Sequence, residues 1–299
     1  MAEPRDSTSK ILRLPLVGFG TFKLKDQECI DAVRTALECG YRLIDTARVY
    51  RNEKEVGEGL RSSGVAREEV FLTTKIAPTE QGEESAYKCV LSSLESLGVS
   101  YIDLILIHWP GKSKTPVASE ANKEARRASW RGLIRAKKEG LVRNIGVSNF
   151  LIKHLEDPCF SSSTLGEDSD CCVPALNQFE FHPALSRREL VDYCTSKGIA
   201  VQAYSSLGQG DPRLLEHPLV LQVVGKIPGA TPQGVLLAWA LQQGVGVIPR
   251  SKTSENIQAN FVSMRTALGE EGMLSAAHME LLRGVDSGLH FCWDSDKVT

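Results

Sequence analysis

Short apolar runs that end in polar side chains recur along the chain and alternate with longer segments of helical periodicity. A short apolar run bounded by polar residues indicates a buried strand, whereas apolar residues three and four positions apart indicate an amphipathic helix. Eight strand-and-helix units can be counted, and this alternation is typical of a parallel α/β protein. The predicted strands span residues 14–18, 41–45, 70–75, 102–108, 142–148, 175–179, 199–204 and 246–249.

Polar or ionisable side chains close the second to the eighth of these strands. In a barrel of parallel strands the carboxyl ends meet at one mouth, and catalytic groups are drawn from several of them. The sequence therefore predicts an (α/β)8 TIM barrel with its active site at the C-terminal face of the strands. The residues at these strand ends are Asp45, Lys75, His108, Ser148 with Asn149, Gln178, Tyr204, and Arg250 with Ser251.

Length and composition limit the class of protein. The 299 residues are the usual length of one α/β barrel, so a single domain over residues 1–299 is expected. A net charge of -2, with 42% apolar and 24% charged residues, favours neither a nucleic-acid nor a membrane surface. No apolar stretch of signal-peptide or membrane-span length is evident, and we expect a cytoplasmic protein. The eight cysteines form no CxxC pair, so no zinc site is indicated.

Four residues near the predicted mouth suit proton transfer. Tyr50 lies five residues beyond Asp45, close enough to fold back over the barrel. A tyrosine has a reference pKa of about 10, and a nearby lysine cation such as Lys75 is expected to lower that pKa. Asp45 would keep Lys75 charged, and His108 could hydrogen-bond a substrate oxygen.

Each of these residues also has a structural interpretation. Asp45 and Lys75 could form only an ion pair, Tyr50 could be a loop residue, and His108 beside Trp109 could be a satisfied loop histidine. Together the four make a proton-relay site the better hypothesis. A metal-dependent hydrolase would need several metal ligands at the mouth, and His108 alone among the six histidines is expected there, so no metal is predicted.

Two motifs resemble signatures of the aldo-keto reductase superfamily. They are GYRLIDTARVYRNEKEVG at residues 40–57 and RNIGVSNF at residues 143–150, and the similarity extends over nearly the whole chain. A compact loop after the fourth strand and a short tail resemble the prostaglandin F synthase-like and diketogluconate reductase-like group. The resemblance implies an (α/β)8 barrel with Asp45, Tyr50, Lys75 and His108 as its catalytic tetrad.

The resemblance also implies a nicotinamide dinucleotide cofactor, usually NADPH, bound without a Rossmann domain. The chain has no GxGxxG motif after a strand, in agreement with this. Within the segment IPRSKTSENIQAN at 248–260, the cation and serine would hold the 2'-phosphate, and the asparagine would reach the adenine. The cofactor-binding residues implied in this way are Gly20, Thr21, Phe22, Asp45, Ser148, Asn149, Gln178, Tyr204, Ser205, Leu207, Arg250, Ser251 and Asn260.

The phosphate-binding segment departs from the family pattern at one position. Asn256 stands six residues after Arg250, where an arginine is usual, and Ala259 replaces a Glu or Gln near the adenine. Arg250 can still bind a phosphate bidentately, and Lys252 is close by. NADPH is therefore the expected cofactor, with NADH possible.

The predicted activity is NADPH-dependent reduction of aldehydes and ketones to alcohols, with Tyr50 as the proton donor. Phe22, Tyr50, His108 and Trp109 would form the substrate pocket. Trp293 in the tail could cover the mouth or pack outside it, and the Ser-rich stretch 158–172 is predicted to be a surface loop. The expected partner is a small carbonyl compound, and the resemblance implies a monomer. The alternative function is an NADPH-binding, redox-sensing or scaffold subunit with little turnover.

Overall fold

Eight parallel strands form one sheet in which each strand pairs with the next along the chain. The computed structural model describes residues 14–161 and 171–299. The strands alternate with helices, as the hydrophobic pattern predicts. Their bounds are β1 Phe19–Gly20, β2 Leu43–Asp45, β3 Phe71–Ile76, β4 Ile102–Ile107, β5 Val142–Ser148, β6 Leu176–Glu180, β7 Ala200–Tyr204 and β8 Gly246–Val247.

Contacts between the first and last strands close the sheet into a barrel. Val17 forms a parallel bridge with Val247, whose carbonyl also accepts a hydrogen bond from the Gly18 N–H at 2.9 Å. The Gly20 N–H donates to the Pro249 carbonyl at 3.1 Å. The predicted (α/β)8 barrel is therefore confirmed.

The predicted first strand, residues 14–18, is wrong in its position. The regular strand is Phe19–Gly20, and the preceding residues contribute only single contacts with β8. Pro15 lacks the N–H that a ladder needs, so a continuous strand is disfavoured there. The predicted eighth strand is likewise shortened to Gly246–Val247, because Pro249 follows closely.

Twelve α-helices lie within the described ranges. Helical periodicity in the sequence predicts eight helices, at 27–38, 53–61, 84–97, 123–138, 150–156, 187–195, 232–242 and 255–267, and one short helix in the segment 274–299. Seven of the eight match observed helices closely, the segment 150–156 is helical only at 152–155, and the short helix is observed at 276–283. The helices at 212–215 and 218–224 were not predicted. The helices are α1 Asp26–Cys39, α2 Glu53–Ser62, α3 Glu83–Leu97, α4 Ala121–Lys138, α5 Ile152–Leu155, α6 Pro158–Ser161, α7 Arg188–Ser196, α8 Pro212–Leu215, α9 Pro218–Val224, α10 Pro232–Leu241, α11 Ser254–Ala267 and α12 Ala276–Arg283. None of them has the combination of length and apolar character that a membrane crossing needs.

Side-chain alternation along the strands separates the barrel interior from the outer helix layer. Leu104 and Leu106 of β4 cluster with Leu176 of β6, whereas Ile105 and Ile107 belong to the larger cluster that packs against the helices. Successive side chains of a strand point to opposite faces. His108 lies two residues beyond Leu106, so it continues the inner face of the barrel at its mouth.

The stretch 158–172 is only partly a surface loop. It begins with the short helix α6, in which Cys159 and Phe160 are buried. Phe160 packs edge-on against Trp130 with ring centroids 5.1 Å apart, and this apolar contact explains the departure from the prediction. Positions 162–170 of this stretch lie outside the described residues.

The segment after α12 returns to the C-terminal end of the barrel. His154 Nε2 lies 2.9 Å from the Val298 carbonyl, and the Thr299 N–H donates to the Val117 carbonyl at 2.9 Å. Arg126 Nη1 donates to the Thr299 carbonyl at 2.5 Å. These contacts fix the last described residues beside the loop that follows β4, next to the barrel mouth.

Candidate active site

A buried ion pair lies at the ends of β2 and β3. Lys75 Nζ is 2.6 Å from Asp45 Oδ1, and the two side chains are 0% and 2% exposed. Lys75 also donates to the Thr46 carbonyl at 2.9 Å, and Gln178 Nε2 donates to Asp45 Oδ2 at 2.7 Å. Buried charges are tolerated when they are paired and hydrogen-bonded in this way. The predicted meeting of Asp45, Lys75 and Gln178 is therefore observed.

Strand register explains why these polar groups share one layer. Asp45 is paired in register with Thr73, which lies two residues before Lys75, and Gln178 is paired with Gln202. Gln178 Nε2 also donates to Gln202 Oε1 at 2.7 Å. Residues paired across parallel strands lie on the same face of the sheet.

Two polar residues on this inner face, Gln202 and Glu180, were not among the predicted site residues. Each lies two residues from a predicted site residue, Tyr204 and Gln178 respectively. Strand alternation directs residues two apart to the same face, so this spacing was a usable signal.

Tyr50 lies at the end of a 3-10 turn, Arg48–Tyr50, that follows β2. Its ring centroid is 5.2 Å from Lys75 Nζ and 5.7 Å from the His108 ring, which it meets edge-on. The Phe22 ring, 44% exposed, lies 5.0 Å away on the outer side. The tetrad implied by the resemblance therefore occupies one mouth, with an aromatic wall beside it.

The predicted lowering of the Tyr50 pKa is wrong in sign. The pKa of Tyr50 is raised well above its usual range, first because the side chain is removed from bulk water and second because the Asp45 carboxylate opposes a phenolate. The Lys75 cation, which is paired with Asp45, does not outweigh these two effects. Tyr50 is therefore protonated at neutral pH, which suits a proton donor.

His108 is buried and neutral. Desolvation, and then the positive charge of Lys75, lower its pKa well below the usual range. Desolvation also lowers the pKa of Lys75, against the opposing effect of Asp45. The Nδ1 atom of His108 is buried and has no hydrogen-bond partner among the described residues. A neutral imidazole can both donate and accept a hydrogen bond, so His108 is able to orient a carbonyl oxygen.

Ser148, Asn149 and Tyr204 form a hydrogen-bonded group beside the tetrad. The Tyr204 hydroxyl donates to Asn149 Oδ1 at 2.6 Å, and Asn149 Nδ2 donates to the His108 carbonyl at 3.0 Å. Ser148 Oγ donates to the Gln178 carbonyl at 2.8 Å. The structure thus brings these predicted cofactor residues to the edge of the tetrad.

The predicted first loop lies against the end of β8. A Cβ atom added to Gly20 would stand 2.7 Å from the Ile248 carbonyl oxygen, so a larger residue is excluded there. The same added atom would be 3.9 Å from Arg250 Cβ, which places Arg250 beside this loop. Thr21 is fully buried, and its N–H and Oγ1 both donate to the Asp45 carbonyl at 3.0 Å. The Thr21 side chain therefore holds the loop rather than facing outward.

The loop after β7 contains the predicted Ser205 and Leu207. Ser205 has a φ of +50° and its Oγ lies 3.1 Å from Cys292 Sγ, while Leu207 packs on the hydrophobic core. Ser206 Oγ is buried without a hydrogen-bond partner in the described part of the chain. This loop thus contains one unsatisfied hydroxyl.

Arg250 and Ser251 lie in the segment between β8 and α11. Arg250 is exposed and Ser251 is buried, as is Asn260 further along the helix. Lys252 Nζ forms an exposed ion pair with Glu28 at 3.1 Å, so part of its charge is already compensated. Asn256 is exposed on the first turn of α11. A helix N-terminus with an adjacent arginine favours an anion.

Trp109 and Trp293 enclose a cavity next to the tetrad. Their rings meet edge-on with centroids 5.8 Å apart, and the Trp293 ring is 6.5 Å from that of His108. Trp293 therefore lies over the mouth rather than packing outside it. The cavity has a volume of about 270 Å³ and is lined by Pro78, Trp109, Gly111, Lys112, Ser113, Thr115, Val117, Asn122, Trp293 and Val298. Within the described ranges, no group of three or more His, Cys, Asp or Glu side chains could hold a metal ion.

A parallel barrel that gathers proton-carrying side chains at the carboxyl ends of its strands is the architecture of a TIM-barrel enzyme. Residues 16–275 match the model of the aldo/keto reductase family, and the chain belongs to this family. It is an oxidoreductase.

Named relatives agree with this assignment. The chain is 40% identical over 263 residues to the glyoxal reductase of Bacillus subtilis (strain 168), covering 88% of this chain and 87% of that protein. It is 37% identical over 265 residues to the glycerol 2-dehydrogenase (NADP(+)) of Saccharomyces cerevisiae, covering 83% and 82%. The crystal structure of MGS-M4, an aldo-keto reductase enzyme from a Medee basin deep-sea metagenome library, superposes with a TM-score of 0.83 and 32% identity, covering 96% of this chain and 97% of that one.

Proposed function

We propose that this protein reduces aldehydes and ketones to alcohols with NADPH, and that Tyr50 donates the proton. The observation that carries the proposal is the convergence of Tyr50, His108 and the Asp45–Lys75 pair at one mouth beside an aromatic-lined cavity. The relatives named as a glyoxal reductase and a glycerol dehydrogenase support carbonyl chemistry of this kind.

The proposed mechanism assigns one task to each residue of the tetrad. Neutral His108 orients the carbonyl oxygen by a hydrogen bond, and Tyr50, whose pKa is raised, supplies the proton to that oxygen. Lys75, held by Asp45, places a positive charge beside the Tyr50 ring and so stabilises the phenolate that remains. The chemistry that a nicotinamide cofactor would supply here, when bound, is transfer of a hydride to the carbonyl carbon.

The residues of the groove fit a phosphorylated dinucleotide. Arg250, in the segment that leads from β8 to α11, would bind the 2'-phosphate, and the unsatisfied hydroxyl of Ser206 could donate a hydrogen bond to the pyrophosphate. Tyr204 and Asn149, joined by a hydrogen bond, would flank the nicotinamide. The NADP(+) in the name of the yeast relative supports the choice of phosphate form. The protein is further proposed to act as a cytoplasmic monomer.

A substrate panel tests the proposed function. Methylglyoxal, aliphatic and aromatic aldehydes, quinones and keto sugars would be assayed with NADPH and with NADH by loss of nicotinamide absorbance. Turnover on several carbonyls, faster with NADPH, is expected. Tight NADPH binding without turnover on any member would instead favour a redox-sensing or scaffold subunit.

Arg250 is expected to set the preference for NADPH. A charge-assisted hydrogen bond contributes about 1.5–3 kcal/mol, so Arg250→Ala should raise the KM for NADPH by about tenfold or more. The KM for NADH should change little, because NADH lacks the 2'-phosphate. Initial-rate kinetics with both cofactors measure this difference.

Two further variants make the cofactor experiment specific. Lys252→Ala removes a neighbouring cation that is already paired with Glu28, and a smaller rise in the KM for NADPH is expected. Asn256→Arg restores the usual family cation and should lower that KM. Equal effects of Arg250→Ala on NADPH and NADH would contradict the assignment of Arg250 to the phosphate.

His108 should not titrate in the neutral range. Its lowered pKa means that the neutral imidazole dominates at and above the ordinary histidine pKa of 6.5, and is lost only well below it. The kcat/KM for carbonyl reduction is therefore expected to lack an inflection near pH 6.5. An acid limb near that pH that disappears in His108→Gln would contradict a neutral His108. A pH–rate profile of both proteins is the measurement.

A further inference from the structure

Glu180 is a buried carboxylate that plays no part in the proposed proton transfer. It ends β6 two residues after Gln178, so strand alternation directs it to the inner rim of the barrel. The residue is 1% exposed. Two imidazoles lie beside it: His182 Nε2 is in hydrogen-bond contact with Oε1 at 3.1 Å, and His290 Nδ1 is 3.7 Å from Oε2. A carboxylate that is removed from water in this way is costly to bury unless hydrogen bonds replace those it made with water.

Those hydrogen bonds come from the backbone of the tail. The Phe291 N–H donates to Glu180 Oε1 at 2.7 Å, and the Cys292 N–H donates to Oε2 at 3.2 Å. Each carboxylate oxygen thus accepts one backbone N–H from a segment more than 100 residues away in the sequence. The anchored segment is residues 290–293, which ends at Trp293.

The anchored segment is also held from its other side. Gln209, in the loop after β7, donates from Nε2 to the Phe291 carbonyl at 2.9 Å. The Phe291 ring lies 5.1 Å from the His182 ring. Contacts from both sides therefore fix the backbone immediately before Trp293.

Trp293 itself has little packing to hold it. The residue is 61% exposed, and within residues 14–161 and 171–299 its contacts with other aromatic rings are those with Trp109 and His108 at the mouth. A side chain with so few neighbours takes its position mainly from the backbone that carries it. The Glu180 carboxylate thus anchors the backbone segment 290–293, which carries Trp293.

We infer that Glu180 is a positioning residue that holds Trp293 over the mouth and so sets the affinity for bulky carbonyl substrates. The inference rests on the proposed function, because the cavity between Trp109 and Trp293 is taken as the place of the substrate's side chain. The class of substrate affected is carbonyl compounds with an apolar group large enough to reach Trp293.

Glutamine is the sharpest replacement for Glu180, because it has the same shape but only one acceptor oxygen. In either orientation its NH2 group faces one backbone N–H, donor against donor. Glu180→Gln should therefore release the segment 290–293 without leaving a cavity. The KM for phenylpropanal is expected to rise by about tenfold, while the KM for propanal changes much less.

Matched variants separate positioning from general damage. Glu280→Gln makes the same chemical change at an exposed carboxylate of α12 and should match the wild type. In a Trp293→Ala background, Glu180→Gln should have no further effect on the KM for phenylpropanal, because the residue through which it acts is gone. The inference would be overturned if Glu180→Gln raised the KM for both aldehydes equally. It would also be overturned if Glu180→Gln still raised the KM for phenylpropanal in the Trp293→Ala background.

A readout independent of activity completes the test. Chymotrypsin cleaves after aromatic residues, and cleavage at Phe291 and Trp293 should be faster in Glu180→Gln than in the wild type and Glu280→Gln. Unchanged cleavage would show that Glu180 does not hold the tail. A wild type that reduces no carbonyl would refute the proposed function, and the cleavage rates would still decide whether the anchor exists.

If Glu180→Gln does not fold, the tail offers an equivalent pair of variants. Phe291→Pro removes the N–H that Glu180 accepts, whereas Phe291→Ala keeps the N–H and loses only the ring. The proline variant should show the larger rise in the KM for phenylpropanal. Equal values for the two variants would contradict the role of the Glu180 hydrogen bond.

Discussion

Tyr50→Phe is expected to lower kcat for carbonyl reduction by about 10²–10⁴-fold, the range that a positioned general acid contributes. The pKa of Tyr50 is raised, so the hydroxyl holds its proton until a reacting oxygen takes it. Phenylalanine keeps the ring that packs between Phe22 and His108 and loses only the hydroxyl. Steady-state kinetics and NADPH binding by fluorescence are the measurements, and cofactor binding should be unchanged.

A tyrosine away from the mouth provides the control. Tyr193 lies on α7, and its ring contacts Lys197 rather than any residue of the tetrad. Tyr193→Phe makes the same chemical change and should leave kcat at the wild-type value. Turnover of Tyr50→Phe close to that of Tyr193→Phe would show that another group supplies the proton.

Lys75→Met is expected to damage both stability and activity. Removing one partner of a buried ion pair costs about 3–5 kcal/mol, because the remaining charge loses its compensation. Asp45 is 2% exposed. Without Lys75, the Gln178 amide would be the one side chain of the described residues that still donates a hydrogen bond to the Asp45 carboxylate. Urea unfolding should show the lower free energy of unfolding, and the kcat of the folded protein should fall as well.

Two variants distinguish the stability effect from the catalytic one. In Asp45→Asn/Lys75→Met no charge is left unpaired, so much of the lost stability should return while kcat stays low. Arg135→Met breaks exposed ion pairs with Glu84 and Glu139 and should leave the free energy of unfolding nearly unchanged. Wild-type turnover in the double variant would show that the pair serves the fold alone.

Most of the fold was predictable because its signals are local. The longer strands appear in the sequence as apolar runs that end in a polar residue, as in LILIHWP at residues 104–110. This pattern can be recognised from consecutive residues, without knowing which strands pair in space. The exceptions occur where local signals are weak. Pro15 interrupts the predicted first strand, and the short helices α8 and α9 have too few turns for a periodicity.

The proposed tetrad and cofactor residues could be named from motifs, but the direction of their pKa shifts could not be predicted. The sequence suggested that Lys75 lowers the pKa of Tyr50, whereas the pKa is raised once burial and the Asp45 carboxylate are included. The sign depends on distances and on exclusion of water, which are properties of the folded barrel. The same limit applies to Thr21, whose side chain is turned inward to the Asp45 carbonyl.

The order of hydrophobic and polar residues was sufficient to predict the barrel and the strand ends at its mouth, and the motifs at 40–57 and 143–150 indicated the family. Barrel closure through Val17 and Val247, the inward register that joins Gln178 to Gln202, and the path of the tail required the tertiary structure. The hydrogen bonds from the Phe291 and Cys292 N–H groups to the Glu180 carboxylate join residues more than 100 positions apart in the sequence. Such contacts leave no local periodicity in the sequence, because only the folded chain brings them together.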